Sequence, residues 1–292
     1  MNLPRLIPLA CLALAALAGC TRKQPAATGP MYFYSLTGTV VDLAPARHAA
    51  IIHHEEIPGY MPPMTMEFIV ADADLARLKE GLRLRARLLP PDAKGELHLE
   101  AIEILDPLKE QQLAAAANLL RQDTSARGKS AYREVGETVP QFVLYNQEGE
   151  IVPINRFRGK RVVMNFIYTR CPIATMCPAS TQRMMALQQA AKARAVRDLE
   201  LVSITLDPAY DTPPVLKDYA SVRGIDTGNF SFLTGPEGAV RDLLVQFGII
   251  VEPGENYLKH TLSTLLIDER GRIVHRVDGT QWRPEEFLSR LK

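Results

Sequence analysis

Cysteine is scarce. The 292-residue chain has four, at positions 11, 20, 171 and 177, and a single tryptophan, Trp282. So few cysteines exclude a disulfide-stapled framework for a chain of this length. An excess of charge of one sign is missing too: Lys and Arg number 34 against 33 Asp and Glu, a net +1. With no basic block and no RNA-binding signature, nucleic acid is not an expected partner. There is no internal repeat, which sets aside solenoids and propellers. Beyond the N-terminus no apolar run is long enough to cross a bilayer. What remains is a chain that is 47% hydrophobic, ample for two packed cores and too long for one typical domain.

The N-terminus reads "MNLPRLIPLACLALAALAGC". One positive residue, Arg5, precedes an apolar run from Leu6 to Ala18, too short to span a membrane and suited to the apolar core of an export signal. The run closes in "LAGC", which resembles the lipobox of bacterial lipoproteins. The resemblance implies cleavage after residue 19, acylation of Cys20, and a chain held at the periplasmic side of a bacterial membrane. Loss of Arg5 and Cys11 would balance the charges at 33 each and leave cysteines at 20, 171 and 177.

Residues 20–31 are small, polar and proline-bearing, and read as a tether. From 32 to 106 short alternating runs predict five strands: "YSLTGTVVDL", "HAAIIHHEEI", "MTMEFIV", "LRLRARLL" and "ELHLEAIEIL", with a helical signal at "ADLARLKEG". Five short strands in this length suggest a small all-β barrel of OB type. Residues 107–133 read as a helix over 107–122 followed by a linker. From 134 to 292 strands alternate with helices and an antiparallel hairpin follows, which argues an α/β domain with a mixed sheet.

Two cysteines stand together in "TRCPIATMCP", each followed by proline, where the buried strand "VVMNFIY" gives way to a helix. A disulfide staple, a redox pair and a metal clip all fit this pattern. Closing so short a loop gains the least chain entropy, which weakens the staple reading. A helix start favours thiolate, and thiolates serve both redox chemistry and Cu(I) ligation. The stretches "VGETVPQFVLYNQEGE", "GKRVVMNFIYTRCP…CP", "LVSITLDPAYDTPPVLKDYA", "FSFLTG" and "KHTLSTLLIDERGRIV" resemble the SCO/SenC family of thioredoxin-fold copper proteins. That resemblance implies copper held by Cys171, Cys177 and His260, as Cu(I) or Cu(II), with Asp207 near the site. Five residues separate the cysteines where the family pattern has three. On a continuous helix that spacing would not place both thiols on one face, so either the segment loops out or Cys171 precedes the helix. Met176, inside the spacer, is expected to pack, and His275 is expected at the surface. A peroxiredoxin-like site lacks its proline and threonine here. A thioredoxin-like reductase lacks its two-residue spacing and the proline of the later turn, "LKHTLST".

The first domain carries its own signal. "HHEEIPGYMPPMTMEF" holds Met61, Met64 and Met66. On a strand Met64 and Met66 share a face, as ligands for Cu(I) or Ag(I) or equally as core filling. The segment 32–105 resembles the CusF-like periplasmic copper/silver-binding domain. The resemblance implies a site of His54, Met64 and Met66, with Met61 at the position of that family's capping tryptophan and His53 and His48 facing outward. Together the two resemblances imply a copper metallochaperone. It would capture Cu(I) and deliver it to a copper-accepting protein such as a cytochrome oxidase subunit. The alternatives are a thiol–disulfide oxidoreductase acting on a partner's metal-binding cysteines, the one enzymatic activity expected, and a copper/silver resistance sequestrant.

Overall fold

The computed structural model describes residues 33–57, 59–128, 131–254 and 257–291. The signal segment, the tether and Cys20 lie outside the described residues.

The first domain is a ring of five strands: β1 (Tyr34–Ala44), β2 (Ala49–His54), β3 (Met64–Val70), β4 (Arg83–Leu88) and β5 (His98–Ile104). They are hydrogen-bonded in the order β1-β2-β3-β5-β4, and β4 returns to β1, so the sheet closes on itself. Alternation drives it. Leu36, Val40, Ile52, Phe68, Val70, Leu84 and Leu88 point inward to one core, and the residues between them face out. The helical signal after β3 amounts to a single turn, α1 (Asp72–Leu75). Gly38 faces His54 across the β1/β2 pair. A Cβ at Gly38 would stand 2.7 Å from the His53 carbonyl oxygen and 2.9 Å from the His54 Cα, so only glycine lets β1 lie this close to the His54 strand.

Helix α2 (Pro107–Arg127) follows. Asp106 caps it, accepting from the backbone N–H of Leu108 and Lys109, and Pro107 occupies the first turn, where no N–H is needed. The helix runs five residues further than the sequence suggests, through "DTSAR". Tertiary bonds hold the extra turn in place. Gln246 donates to Asp123 and to the Thr124 hydroxyl, and Arg133 donates to Asp123 and Gln246.

The second domain begins with a small hairpin, β6 (Val143–Tyr145) and β7 (Ile151–Pro153). Its main sheet takes β8 (Arg161–Ile167), β9 (Leu199–Thr205) and β10 (Phe230–Leu233) in parallel, connected by α3 (Cys177–Ala193) and α4 (Pro213–Val222). After α5 (Glu237–Gln246), the short hairpin β11 (Val251–Pro253) and β12 (Leu258–His260) leads to β13 (Ser263–Ile267). β13 pairs antiparallel with both β8 and β14 (Ile273–Asp278). α6 (Pro284–Leu288) closes the chain against α3. The sheet order is β10-β9-β8-β13-β14. β8 and β9 are buried on both faces, which is why "RVVMNFI" and "LELVSIT" read as near-continuous runs. Trp282 is buried here, 4.8 Å from the Phe287 ring and away from the methionine cluster. His275, expected at the surface, is half-buried: its ring lies edge-on to Phe287 and its Nε2 bonds Glu286 at 2.9 Å. Among the described residues no helix is long and apolar enough to cross a membrane.

Candidate metal centres

Cys171 lies in the loop after β8, and Cys177 is the first residue of α3. The first cysteine therefore precedes the helix, which answers the spacing problem. The intervening residues make a turn in which the Met176 N–H donates to the Ile173 carbonyl, at 2.9 Å. Met176 packs against the domain core, as a lone methionine in a spacer should. From the other side the Thr280 hydroxyl donates to the Thr175 carbonyl.

Both cysteines are buried free thiols. The β11/β12 hairpin brings His260 to them across the sheet. One atom each of Cys171, Cys177 and His260 lie within 4.8 Å of one another, and the Cys177 Sγ is 3.4 Å from the His260 Nε2. The imidazole is oriented by its other nitrogen, which bonds the Thr261 carbonyl at 3.0 Å. That leaves the Nε2 lone pair for the thiols or a metal. Tyr168 braces the group. Its ring stands edge-on to His260, and its hydroxyl donates to the Leu258 carbonyl of β12. Two sulfurs and one imidazole nitrogen, converging and partly shielded from water, form a donor set that suits a soft monovalent ion such as Cu(I).

The thiols are not equivalent. A hydrogen bond from Cys177 holds Cys171 well below the ordinary thiol range. The same shared proton, with burial, pushes Cys177 up. A helix start alone would have favoured a thiolate at Cys177. The bond to its neighbour and burial oppose a thiolate at Cys177, and the same bond favours one at Cys171. Cys171 also faces the Ile173 carbonyl, at 3.9 Å.

Beneath the thiols sits Asp211, which sequence reasoning missed although it lies in the quoted segment "LDPAYDTP". Its carboxyl accepts from the Thr169 N–H, the Thr169 hydroxyl and the Thr205 hydroxyl. Asp207, the acidic residue singled out, instead pairs with Arg170 at 2.8 Å. Burial raises the Asp211 carboxyl to about 7, against 3.8 for an ordinary aspartate. The folded chain therefore holds a proton that the unfolded chain releases between these values. The contribution of Asp211 to stability should be full near and below pH 4 and should be lost as pH rises through 7, by at most roughly 4 kcal/mol. Asp211→Asn should flatten that slope in denaturant titrations across this range. An unchanged slope would show that Asp211 is ionised throughout.

In the ring domain, His54 pairs with Met64 and Ile52 with Met66 across β2/β3, so all four side chains share one face. Ile52 and His54 are fully buried, Met66 is half-buried, and Met64 is 40% exposed. Exposure of this size means Met64 does not serve as core filling. The His54 Nδ1 bonds the Glu55 carbonyl at 2.7 Å, leaving the Nε2 as the lone-pair atom. That Nε2 is buried and has no partner among the described residues. An orphaned buried nitrogen costs about 1–3 kcal/mol, and a metal beside the methionines would satisfy it. Met61 packs partly against the same core, in a tight turn whose backbone bonds Ile57 twice. His53 and His48 face outward as expected, bonded to Thr65 and Asp72.

Comparison with known proteins places both halves. Residues 34–103 match the family model of the copper binding periplasmic protein CusF. The SCO1 protein homolog of Bacillus subtilis is 30% identical over 159 residues, covering 53% of this chain and 81% of that protein. An SCO2-like protein of Rickettsia typhi is 31% identical over 148 residues, 48% of this chain and 68% of its own length. The crystal structure of a SCO1/SenC family lipoprotein from Bacillus anthracis superposes with a TM-score of 0.50 at 27% identity, over 55% of this chain and 96% of that one. These matches support the thioredoxin-like fold of the second domain. The SCO1/SenC family model itself covers residues 130–292, more than half the chain, and the chain therefore belongs to the SCO1/SenC family.

Proposed function

We propose that this chain is a lipid-anchored copper carrier on the periplasmic side of a bacterial membrane. In this reading an OB-like ring, residues 32–106, captures Cu(I) through His54, Met64, Met66 and, as a third thioether, Met61. The thioredoxin-like domain, residues 134–292, receives it on Cys171, Cys177 and His260. It hands the metal to the copper centre of a respiratory oxidase, as membership of the family implies. The observation that carries this reading is shared by both sites. In each, a histidine spends its Nδ1 on the carbonyl of the next residue and turns its Nε2 away from that bond, toward the Cys177 Sγ at His260 and, without a partner among the described residues, on the strand face shared with Met64 and Met66 at His54. Such pre-set imidazoles are what a metal ligand requires.

One observation favours a second reading. A thiolate at Cys171 beside a protonated Cys177 is also the arrangement for attacking a disulfide, and a reductase of a partner's cysteines would use it. Mixing the Cu(I)-loaded, reduced chain with a peptide bearing paired cysteines distinguishes the two. A carrier passes copper to the reduced peptide and leaves the oxidised peptide largely intact. Rapid reduction of the peptide disulfide by the copper-free reduced chain, with Cys171 and Cys177 joining in turn and no copper passed to the reduced peptide, would favour the reductase.

Anchoring is tested separately. Cys20→Ser should block acylation and release the chain from membranes. Membrane association unchanged in that variant would remove the anchor from the account.

A further inference from the structure

The residue before Cys171 reaches across to the ring domain. The Arg170 Cζ stands 4.6 Å from the centre of the Tyr210 ring and 5.0 Å from that of Phe33, which immediately precedes β1. Arg87, on β4, approaches the same two rings, at 4.7 and 5.8 Å. The rings themselves are 5.3 Å apart. The second domain thus contributes Arg170 and Tyr210, and the ring domain Phe33 and Arg87, with the Asp207 carboxylate 2.8 Å from Arg170. The loop that carries Cys171 and the loop that carries Asp211 are both engaged, since Arg170 adjoins Cys171 and Tyr210 adjoins Asp211.

The other end of this cluster leads to the methionines. Tyr34, next to Phe33, stacks on Tyr60 with ring centres 4.1 Å apart and planes 7° from parallel. Tyr60 adjoins Met61 in the turn leading to Met64. A second tie holds the same domains together: Glu110 of α2 accepts from the Tyr145 hydroxyl at 2.8 Å and pairs with Arg85 of β4 at 3.8 Å. Both domains fall in one contact unit. Each ring face attracts the guanidinium above it, and the four pairs together favour one orientation of the two domains.

We propose that the Phe33–Arg87–Tyr210–Arg170 cluster is a docking latch that sets the methionine turn toward the Cys171 loop, so that copper passes from the ring to the thiols within one chain. This rests on the copper-carrier reading above. The step involves no redox change. Cu(I) leaves the thioethers and the His54 imidazole and is bound by the sulfurs of Cys171 and Cys177 and by His260, while any proton still on those sulfurs goes to water. Direction follows from chemistry, because anionic thiolates hold Cu(I) more tightly than neutral thioethers. Fixing donor and acceptor sites in one molecule replaces an encounter by an intramolecular step at high effective concentration.

The test uses the full chain with its Cys171–Cys177 pair oxidised and one equivalent of Cu(I) on the ring. Reduction by a phosphine starts the transfer under anaerobic conditions. Carbon-13 methyl signals of the methionines report the ring, and near-ultraviolet thiolate–copper absorption reports the thiols. In the parent the rate should not change with chain concentration across a wide dilution series. Phe33→Ala with Arg87→Gln should slow transfer at least ~10-fold, while the oxidised variant still binds Cu(I) on its ring. Tyr210→Leu should reproduce this from the opposite side. A concentration-dependent rate in the parent overturns the latch and leaves the carrier reading standing, as does a rate indifferent to these variants. Copper that never leaves the ring overturns both. The dilution series needs no variant, so misfolding of a mutant cannot mask the answer.

Discussion

Cys171→Ser should abolish disulfide formation in the second domain and lower its Cu(I) affinity by more than ~100-fold, beyond the range usual for losing a partner that merely orients a ligand. Two causes act together. The variant loses one of two sulfur donors, and the lost donor is the one on which the negative charge settles. Cys177 is then a deeply buried thiol without the neighbour that shares its proton. His260→Ala separates the two properties. It removes the nitrogen 3.4 Å from the Cys177 Sγ and so weakens copper binding, yet leaves both sulfurs able to join. Thiol titration with and without Cu(I) reads both effects. Normal copper binding in His260→Ala would take the histidine out of the site.

Replacing Met64 and Met66 together by leucine should leave the ring folded and remove its response to Ag(I). The exchange keeps volume and apolarity and costs under about 1.5 kcal/mol even in a packed core, and Met64 is substantially exposed. What disappears is a pair of soft donors on the face of the His54 nitrogen. A ligand at a hundred times its dissociation constant stabilises the folded state by about 2.7 kcal/mol. Silver should therefore raise the denaturation midpoint of the parent ring and scarcely move that of the variant. An equal rise in both would show that these methionines are packing residues and that the orphaned His54 nitrogen has another partner.

Much of this was written in the sequence at the level of pattern. The alternation of "YSLTGTVVDL" and "HAAIIHH" announced strands with one buried face, and pairing His54 with Met64 needed only a hairpin register in which both face the same way. The near-continuous apolar runs of β8 and β9 announced strands covered on both sides. The extra turn of α2 was hidden because it opens on three weak helix formers, "DTS", and its order comes from Asp123, Thr124 and Arg133 bonding to Gln246, far along the chain. The thiolate assignment escaped for a similar reason. A helix start is a local signal, whereas the proton shared between Cys171 and Cys177 depends on how the five-residue spacer turns. Tyr168, Arg170 and Asp211 lie inside recognised motifs, but nothing local says that one braces His260, one reaches the ring domain and one lies buried under the thiols. His260 itself depends on the β11/β12 hairpin, whose strands of three residues each are too short to leave a periodic signal.

The chain should hold two soft-metal sites, one in each domain. The direct measurement is copper stoichiometry of the reduced full chain, with X-ray absorption to identify the ligands. One Cu(I) per domain is expected. Cys171→Ser with Cys177→Ser should lose the copper bound through thiolate sulfur, and His54→Ala with Met64→Leu should lose the copper bound through thioether sulfur. A parent chain that takes up a single copper, or paired variants that each keep the full complement, would contradict it.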